Sequence, residues 1–310
     1  MGLLNHHIHT LCMEQKKTEF IKGNVLTLGQ QSVWIDRSQS SKIFKTHNLR
    51  QYNLKENIDY RNKIKSFKNT SREKNLSCQA LLTIMGADNV EAMDFSDYEG
   101  ADIIHNLNSP ISKSLFKKYD AIVDSGTLEH IFDTPTALKN ICDMLKPDGS
   151  LFLSYPSSNA IDHGFYSFSP TLFFDFFEAN GFKNLRAYLH ESSPRLYERK
   201  GRLFKYKHTG KEIPLVTSRS IELIFLAQKS AEYQSDNLRK PIQLIYNESK
   251  SKKDIKQLNS RKNKNFFSEK LILFLKNITL SILNYLPYEV ERIFFNVIRT
   301  KKSMKYIGRF

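Results

Sequence analysis

Apolar residues in this chain fall into short continuous runs that alternate with stretches at helical spacing, and each change of period marks an element. Gly23-Asn-Val-Leu-Thr-Leu-Gly29 reads as a core strand stopped by a glycine. Ala80 to Gly86 predicts a helix with a glycine at its end, Val90 to Phe95 a second strand reaching a carboxylate, and Ala101 to Leu107 a third strand and its loop. Ala121 to Val123 lie in a fourth buried strand, which stops at Asp124 and a small-residue turn. A helix from Thr134 to Lys146 follows and closes on Pro147-Asp148-Gly149, before a fifth strand at Ser150 to Ser154. Pro170 to Gly181 predicts a phenylalanine-rich helix. Strands at Phe182 to Leu189 and Arg219 to Gln228 complete the order, with a long hairpin or surface loop over 194–217 between them.

Strands separated by helices predict an α/β chain with a mostly parallel sheet. That pattern occupies 23–230, after an N-terminal segment over 1–22, and is interrupted by a polar, basic insertion over about 36–75 in which Ile58 to Phe67 has the spacing of a short helix. Ser, Asn, Gln and Lys then dominate 231–265, a composition typical of a linker. Over 266–310 Phe267, Leu271, Phe274, Leu275 and Ile278 recur at helical spacing, and Pro287 separates a second amphipathic piece around Val290, Ile293 and Phe294.

The segment Tyr119-Asp-Ala-Ile-Val-Asp124-Ser-Gly-Thr-Leu-Glu-His130, followed one helix later by Leu145-Lys-Pro-Asp-Gly149, carries the chemistry. It resembles the class I S-adenosylmethionine-dependent methyltransferases, in particular the small-molecule type with Leu-Glu-His after the fourth strand. The resemblance spans roughly 20–230 and implies a doubly wound, seven-stranded Rossmann-like domain that binds S-adenosylmethionine beyond its strand ends. The basic insertion and a helical C-terminal appendage are additions to that fold.

The resemblance places cofactor contacts at Gly29, Gln30, Asp94, Phe95, Asn106, Leu107, Asp124, Ser125 and Gly126. Asp94 is positioned to accept two ribose hydroxyls, Phe95 to cover the adenine, and Asn106 and Leu107 to approach the base. Methyl transfer from a sulfonium is an in-line displacement in which alignment supplies most of the acceleration, while a hydroxyl acceptor also benefits from a base. His130 is the expected base, with capping of the following helix as its structural alternative. Glu129, Asn159, His163 and Tyr166 fall where the fold places acceptor contacts.

The first turn departs from the family pattern. Thr27 stands where an acidic residue is usual, and Gln31 and Val33 replace the glycines expected after Gly29. Two readings stay open: Gln30, Gln31 and Ser32 supply other polar contacts to the methionine end, or the domain is a noncatalytic binding or scaffolding module. The first is the expectation, with methyl transfer to oxygen of a small molecule or glycan.

Charge alters the picture of partners more than of fold. The net charge of +15 is concentrated in 36–75, with 11 Lys+Arg against 4 Asp+Glu, and in 232–310, with 17 against 7. Over 76–231 the balance is 16 against 19, so the catalytic core is nearly neutral and basicity belongs to its additions. These additions leave a nucleic-acid methyltransferase as a third reading, and the amphipathic tail suits packing, homodimer pairing or an anionic membrane surface. The run Leu271 to Leu275 ends at Lys276, far short of the roughly 20 residues that span a bilayer, so the expected location is cytoplasmic, with a peripheral membrane position as its variant. Cys12, Cys78 and Cys142 form no CxxC pair or disulfide framework. His6, His7, His9 and Cys12 are close in sequence, but a disordered or locally packed N-terminus is expected and no metal site is assigned.

Overall fold

The computed structural model describes residues 2–52, 74–192, 201–210, 212, 215, 217, 219–246 and 304–309. After the short strand β1 (Gly2–Leu3) come helix α1 (Asn5–Thr18), strands β2 (Gly23–Leu28) and β3 (Ser32–Asp36), helix α2 (Arg37–Thr46), strand β4 (Asn75–Ser77) and helix α3 (Cys78–Met85). The chain continues as β5 (Ala87–Asp94), β6 (Ile103–Ile104), β7 (Tyr119–Ser125), α4 (Thr134–Met144), β8 (Leu145–Ser158) and α5 (Pro170–Ala179). Strands β9 (Phe182–Glu191), β10 (Arg202–Tyr206), β11 (Ile221–Lys229) and β12 (Met304–Arg309) complete it.

Nine strands form the main sheet in the order β12-β10-β9-β11-β8-β7-β2-β5-β6. Pairings from β8 to β6 are parallel and those from β8 to β12 antiparallel, so the α/β sheet is parallel in one half only and larger than the seven strands expected. The extra strands are β10, drawn from the predicted hairpin, and β12, drawn from the predicted helical tail. A second sheet, β1-β3-β4, stands beside the first.

Alternation along the central strands divides the core. Leu26, Leu28 and Ile122 pack with α4 and α5 on one face, while Val25, Ala121 and Val123 pack with α1, α2 and α3 on the other. Two aromatic side chains from α5, Phe173 and Phe177, stack on or tilt against Phe225 of β11 with centroids 5.5 and 5.4 Å away. Local chemistry sets the helix starts. Asp133 accepts from Thr136 N–H to open α4, Ser169 accepts from Thr171 N–H to open α5, and each helix has proline in its first turn.

Residues 2–22 take the packed one of the two alternatives expected for the N-terminus: α1 buries Ile8, Leu11 and Cys12 completely, because it supplies the apolar stripe that covers Val25 and Val123. Three expectations need correction. The insertion begins with helix α2, opened by a capping box between Asp36 and Gln39. The start of the predicted linker docks on the domain, with Tyr233 donating to Asp143 and Ser235 accepting from Lys139, both partners lying on α4. Residues 304–309 form a strand, paired with β10, instead of helix. Ile58 to Phe67 and the amphipathic spacing of 267–298 lie outside the described residues. Among the described residues no helix is long and apolar enough to cross a membrane.

Candidate active site

The parallel strands β2, β5 and β7 end together, and β2 lies between the other two: the chain passes from β2 out to β5 and β6 and then crosses back to β7 on the other side of β2. Such a reversal opens a crevice beyond the strand ends. Hydrogen bonds lock the three turns around it. Gly29 N–H donates to Met93 O at 2.6 Å, Thr127 Oγ1 to Leu28 O at 2.9 Å, and Gln30 N–H to Asp94 Oδ2 at 3.2 Å. Gly29 has φ +74°, and a Cβ there would stand 3.1 Å from Thr127 Oγ1. Thr27, in the place of the expected acid, is buried and donates to Gly29 O at 3.0 Å. Gln31 donates to Leu28 O, and its Oε1 is buried without a hydrogen-bond partner among the described residues.

Asp94 is half-buried at the end of β5 and its other oxygen accepts from Phe95 N–H at 2.6 Å. The Phe95 ring is 72% exposed at the rim. Asn106 is exposed, with Oδ1 accepting from Asn108 N–H, whereas Leu107 is buried in the core beside Met93. Asp124, Ser125 and Gly126 are all buried at the end of β7. Burial pushes the Asp124 carboxyl up to about 7 against the hydrogen bonds from Tyr155 and Thr127 that favour its charged form. Ser125 donates to Gly2 O at 3.1 Å, which fastens β1 against this strand end.

A cavity of about 280 Å³ opens beside Ser125 and Gly126. Glu129, His163, His6, His7, His190 and Glu222 line it. Glu129 is fully buried, and neither of its oxygens has a hydrogen-bond partner among the described residues. Nε2 of His163 stands 3.4 Å from its Oε1 and Nε2 of His130 stands 3.9 Å away. Burial, helped by the charge of Asp124, raises the Glu129 carboxyl to about 8. Burial also lowers the pKa of His130, although this ring is 39% exposed. The structure therefore brings Glu129, His130 and His163 together. Asn159 instead holds a loop, donating to Thr217 O and Arg219 O, and the Tyr166 hydroxyl donates to Phe132 O.

In the same lining, Glu222 accepts from His6 Nε2 at 2.6 Å, His7 Nε2 at 2.8 Å and Ser154 Oγ at 2.8 Å. Burial brings the His6 imidazole down to about 3, so it reaches Glu222 as a neutral donor. The His190 ring stacks on His6 with centroids 3.5 Å apart. None of these four was assigned to the site from sequence. His6 and His7 were visible only as part of an N-terminal cluster with His9 and Cys12, which the helix separates: His9 pairs with His47, and Cys12 sits in the core. Glu222 interrupts an apolar strand, and that interruption was the available signal.

Residues 44–227 match the family model of the methyltransferase domain. The chain belongs to the methyltransferase domain family. No curated protein matches it. Among solved structures, this methyltransferase is similar to YcgJ from Bacillus subtilis, with 11% identity over 73% of this chain and 99% of that one and a TM-score of 0.36. A putative methyltransferase from Bacillus halodurans has 9% identity over 72% and 99%, with a TM-score of 0.37. The 1,6-didemethyltoxoflavin N1-methyltransferase of Burkholderia thailandensis, solved with S-adenosylhomocysteine, has 13% identity over 73% and 80% and a TM-score of 0.33.

Proposed function

We propose that this enzyme transfers the methyl group of S-adenosylmethionine to a hydroxyl of a small molecule, sugars included, held in the cavity beside Gly126. The methyl donor follows from the family. The residues at the strand ends fit it: Asp94 keeps acceptor capacity for ribose hydroxyls, and the turn at Gly29 brings backbone to the crevice. The partnerless Oε1 of buried Gln31 supplies an acceptor for the methionine ammonium, in place of the acid that Thr27 displaces. When bound, the cofactor supplies an electrophilic methyl group.

One observation carries the choice of oxygen: Glu129, a fully buried carboxyl group with both oxygens free of hydrogen bonds among the described residues, lines the cavity with two imidazoles beside it. A hydroxyl acceptor must lose a proton, and His130, 3.9 Å from the Glu129 that lines the cavity, is the base assigned to take it. Neutral His130 suits that role, because a base needs a free lone pair at working pH.

Calorimetric titration with S-adenosylmethionine and S-adenosylhomocysteine tests the reading. Micromolar binding that Asp94→Ala weakens by about 10- to 100-fold is the expected result, the equivalent of one or two charge-assisted hydrogen bonds. Absence of binding by folded protein would move the domain to a noncatalytic binding role.

A further inference from the structure

Two clusters around the cavity each combine two or three imidazoles with one carboxylate, and their hydrogen bonding sets them apart. In the first, His6, His7 and Glu222, every contact is already a hydrogen bond. Leu4 N–H donates to His7 Nδ1 at 3.1 Å, which leaves the ring proton on Nε2, the atom facing Glu222. A nitrogen that carries its proton toward a carboxylate has no lone pair to give a metal. This cluster is a closed network.

The second, Glu129, His130 and His163, is open. Its three ligand atoms lie within 4.8 Å of one another. His163 and His130 stand 3.4 and 3.9 Å from Glu129 Oε1, and no hydrogen bond satisfies either Glu129 oxygen among the described residues. A buried carboxylate without a partner is costly, so Glu129 either keeps its proton or is met by a cation, and the two imidazole nitrogens at 3.4 and 3.9 Å converge on it as the co-ligands of a cation do. A tetrahedral ion with bonds of about 2.0–2.2 Å separates its ligand atoms by about 3.3–3.5 Å. The His163–Glu129 separation of 3.4 Å matches that spacing, and the His130–Glu129 separation of 3.9 Å is somewhat wider. A hydrogen-bonded pair would sit nearer about 2.8 Å.

We propose that Glu129, His130 and His163 bind one divalent transition-metal ion, zinc in the first instance. Two imidazoles and one carboxylate form a three-ligand set that leaves a coordination position open toward the cavity. Local structure favours the assembly. Glu129 and His130 are adjacent in a short 3-10 turn directly after β7, and His163 arrives on the loop after β8, where Phe165 N–H donates to Glu129 O at 2.9 Å and ties the loop to that turn.

The functional consequence rests on the methyl-transfer reading. With the ion bound, an acceptor hydroxyl in the open position would be more acidic and would lose its proton to water, and the base role given above to His130 would pass to the ion, His130 acting as its ligand. The oxygen then takes the methyl group as the carbon–sulfur bond breaks and its electron pair returns to sulfur.

The test uses the full chain without a histidine tag, stripped with EDTA and titrated with zinc chloride by calorimetry, then with cobalt(II) chloride by visible absorption. One equivalent of zinc, a tetrahedral cobalt spectrum, and weakening by more than about tenfold in Glu129→Gln and His163→Ala are expected. His6→Ala, checked for folding by circular dichroism, retains the site. Loss of zinc only in His6→Ala, or no zinc binding at 100-fold excess over about 1 µM protein, overturns the proposal. S-adenosylmethionine titrated into the same samples separates the two readings: zinc without cofactor binding sinks the methyl-transfer reading alone, and cofactor without zinc binding sinks the metal site alone.

Discussion

The hydroxyl of Tyr155 on β8 donates to Oδ2 of Asp124 on the neighbouring strand β7 at 2.7 Å, and both side chains are almost wholly buried. The other Asp124 oxygen accepts from Thr127 N–H at 3.1 Å. One carboxylate thereby joins the two central strands to the turn that carries Glu129. Tyr155→Phe removes a donor while preserving ring packing against Phe173. Destabilisation of about 1–3 kcal/mol is expected in urea unfolding, because the buried carboxylate loses a partner.

The same carboxylate makes stability depend on pH. Its folded-state value, about 7, is above the ordinary 3.8, so the folded protein binds more protons than the unfolded chain between those limits. Its contribution is most favourable below about 4 and falls as pH rises to about 7. Asp124→Asn cannot ionise, so the unfolding free energy of this variant, measured from pH 5 to 8, declines less steeply than that of the wild type. Parallel slopes would show that Asp124 does not titrate in this range.

Gly29→Ala tests the first turn. The residue lies in the left-handed region with φ +74°, and its added Cβ would press on Thr127 Oγ1. A cost of about 1–2 kcal/mol is expected from backbone conformation alone, read by urea unfolding. An unchanged midpoint would mean that the turn adopts another conformation.

Buried Glu14 ties the N-terminal helix to the sheet. It accepts from the Tyr188 hydroxyl at 2.8 Å and pairs with Arg186, 2.8 Å away on β9. Arg186→Ala leaves this carboxylate with less compensation, Lys17 remaining beside it at 2.7 Å. A loss of about 2–3 kcal/mol is expected in urea unfolding. Loss of the cavity wall that His6 and His7 supply would accompany it, seen as faster hydrogen exchange over Asn5–Thr18.

Gln31→Leu tests the methionine end of the cofactor site. The substitution keeps bulk but removes the partnerless Oε1 and the donor to Leu28 O. Affinity for S-adenosylmethionine is expected to fall about tenfold, the equivalent of one hydrogen bond to a charged group. Retained affinity would show that another group meets the ammonium.

Apolar periodicity determined the central strands and the helices α3, α4 and α5, because strand and helix periods, caps and glycine stops are local properties of the chain, while the family was legible as a resemblance carried by Asp124 to His130 with Leu145 to Gly149. The acidic end of β5, the turn after β7 and the pair Glu129-His130 were legible for the same reason: each follows directly from a strand that the pattern locates. Tertiary structure alone decided the rest. Residues 6, 7, 190 and 222 share no local pattern, and they meet because β9 and β11 pair antiparallel while α1 packs over the sheet. Residues 304–309 joined β10 as an edge strand, since pairing across nearly a hundred residues leaves no trace in local hydrophobic spacing. The unpaired state of Glu129 likewise exists only once burial has removed water from a carboxylate that, in an extended chain, would be an ordinary solvated acid.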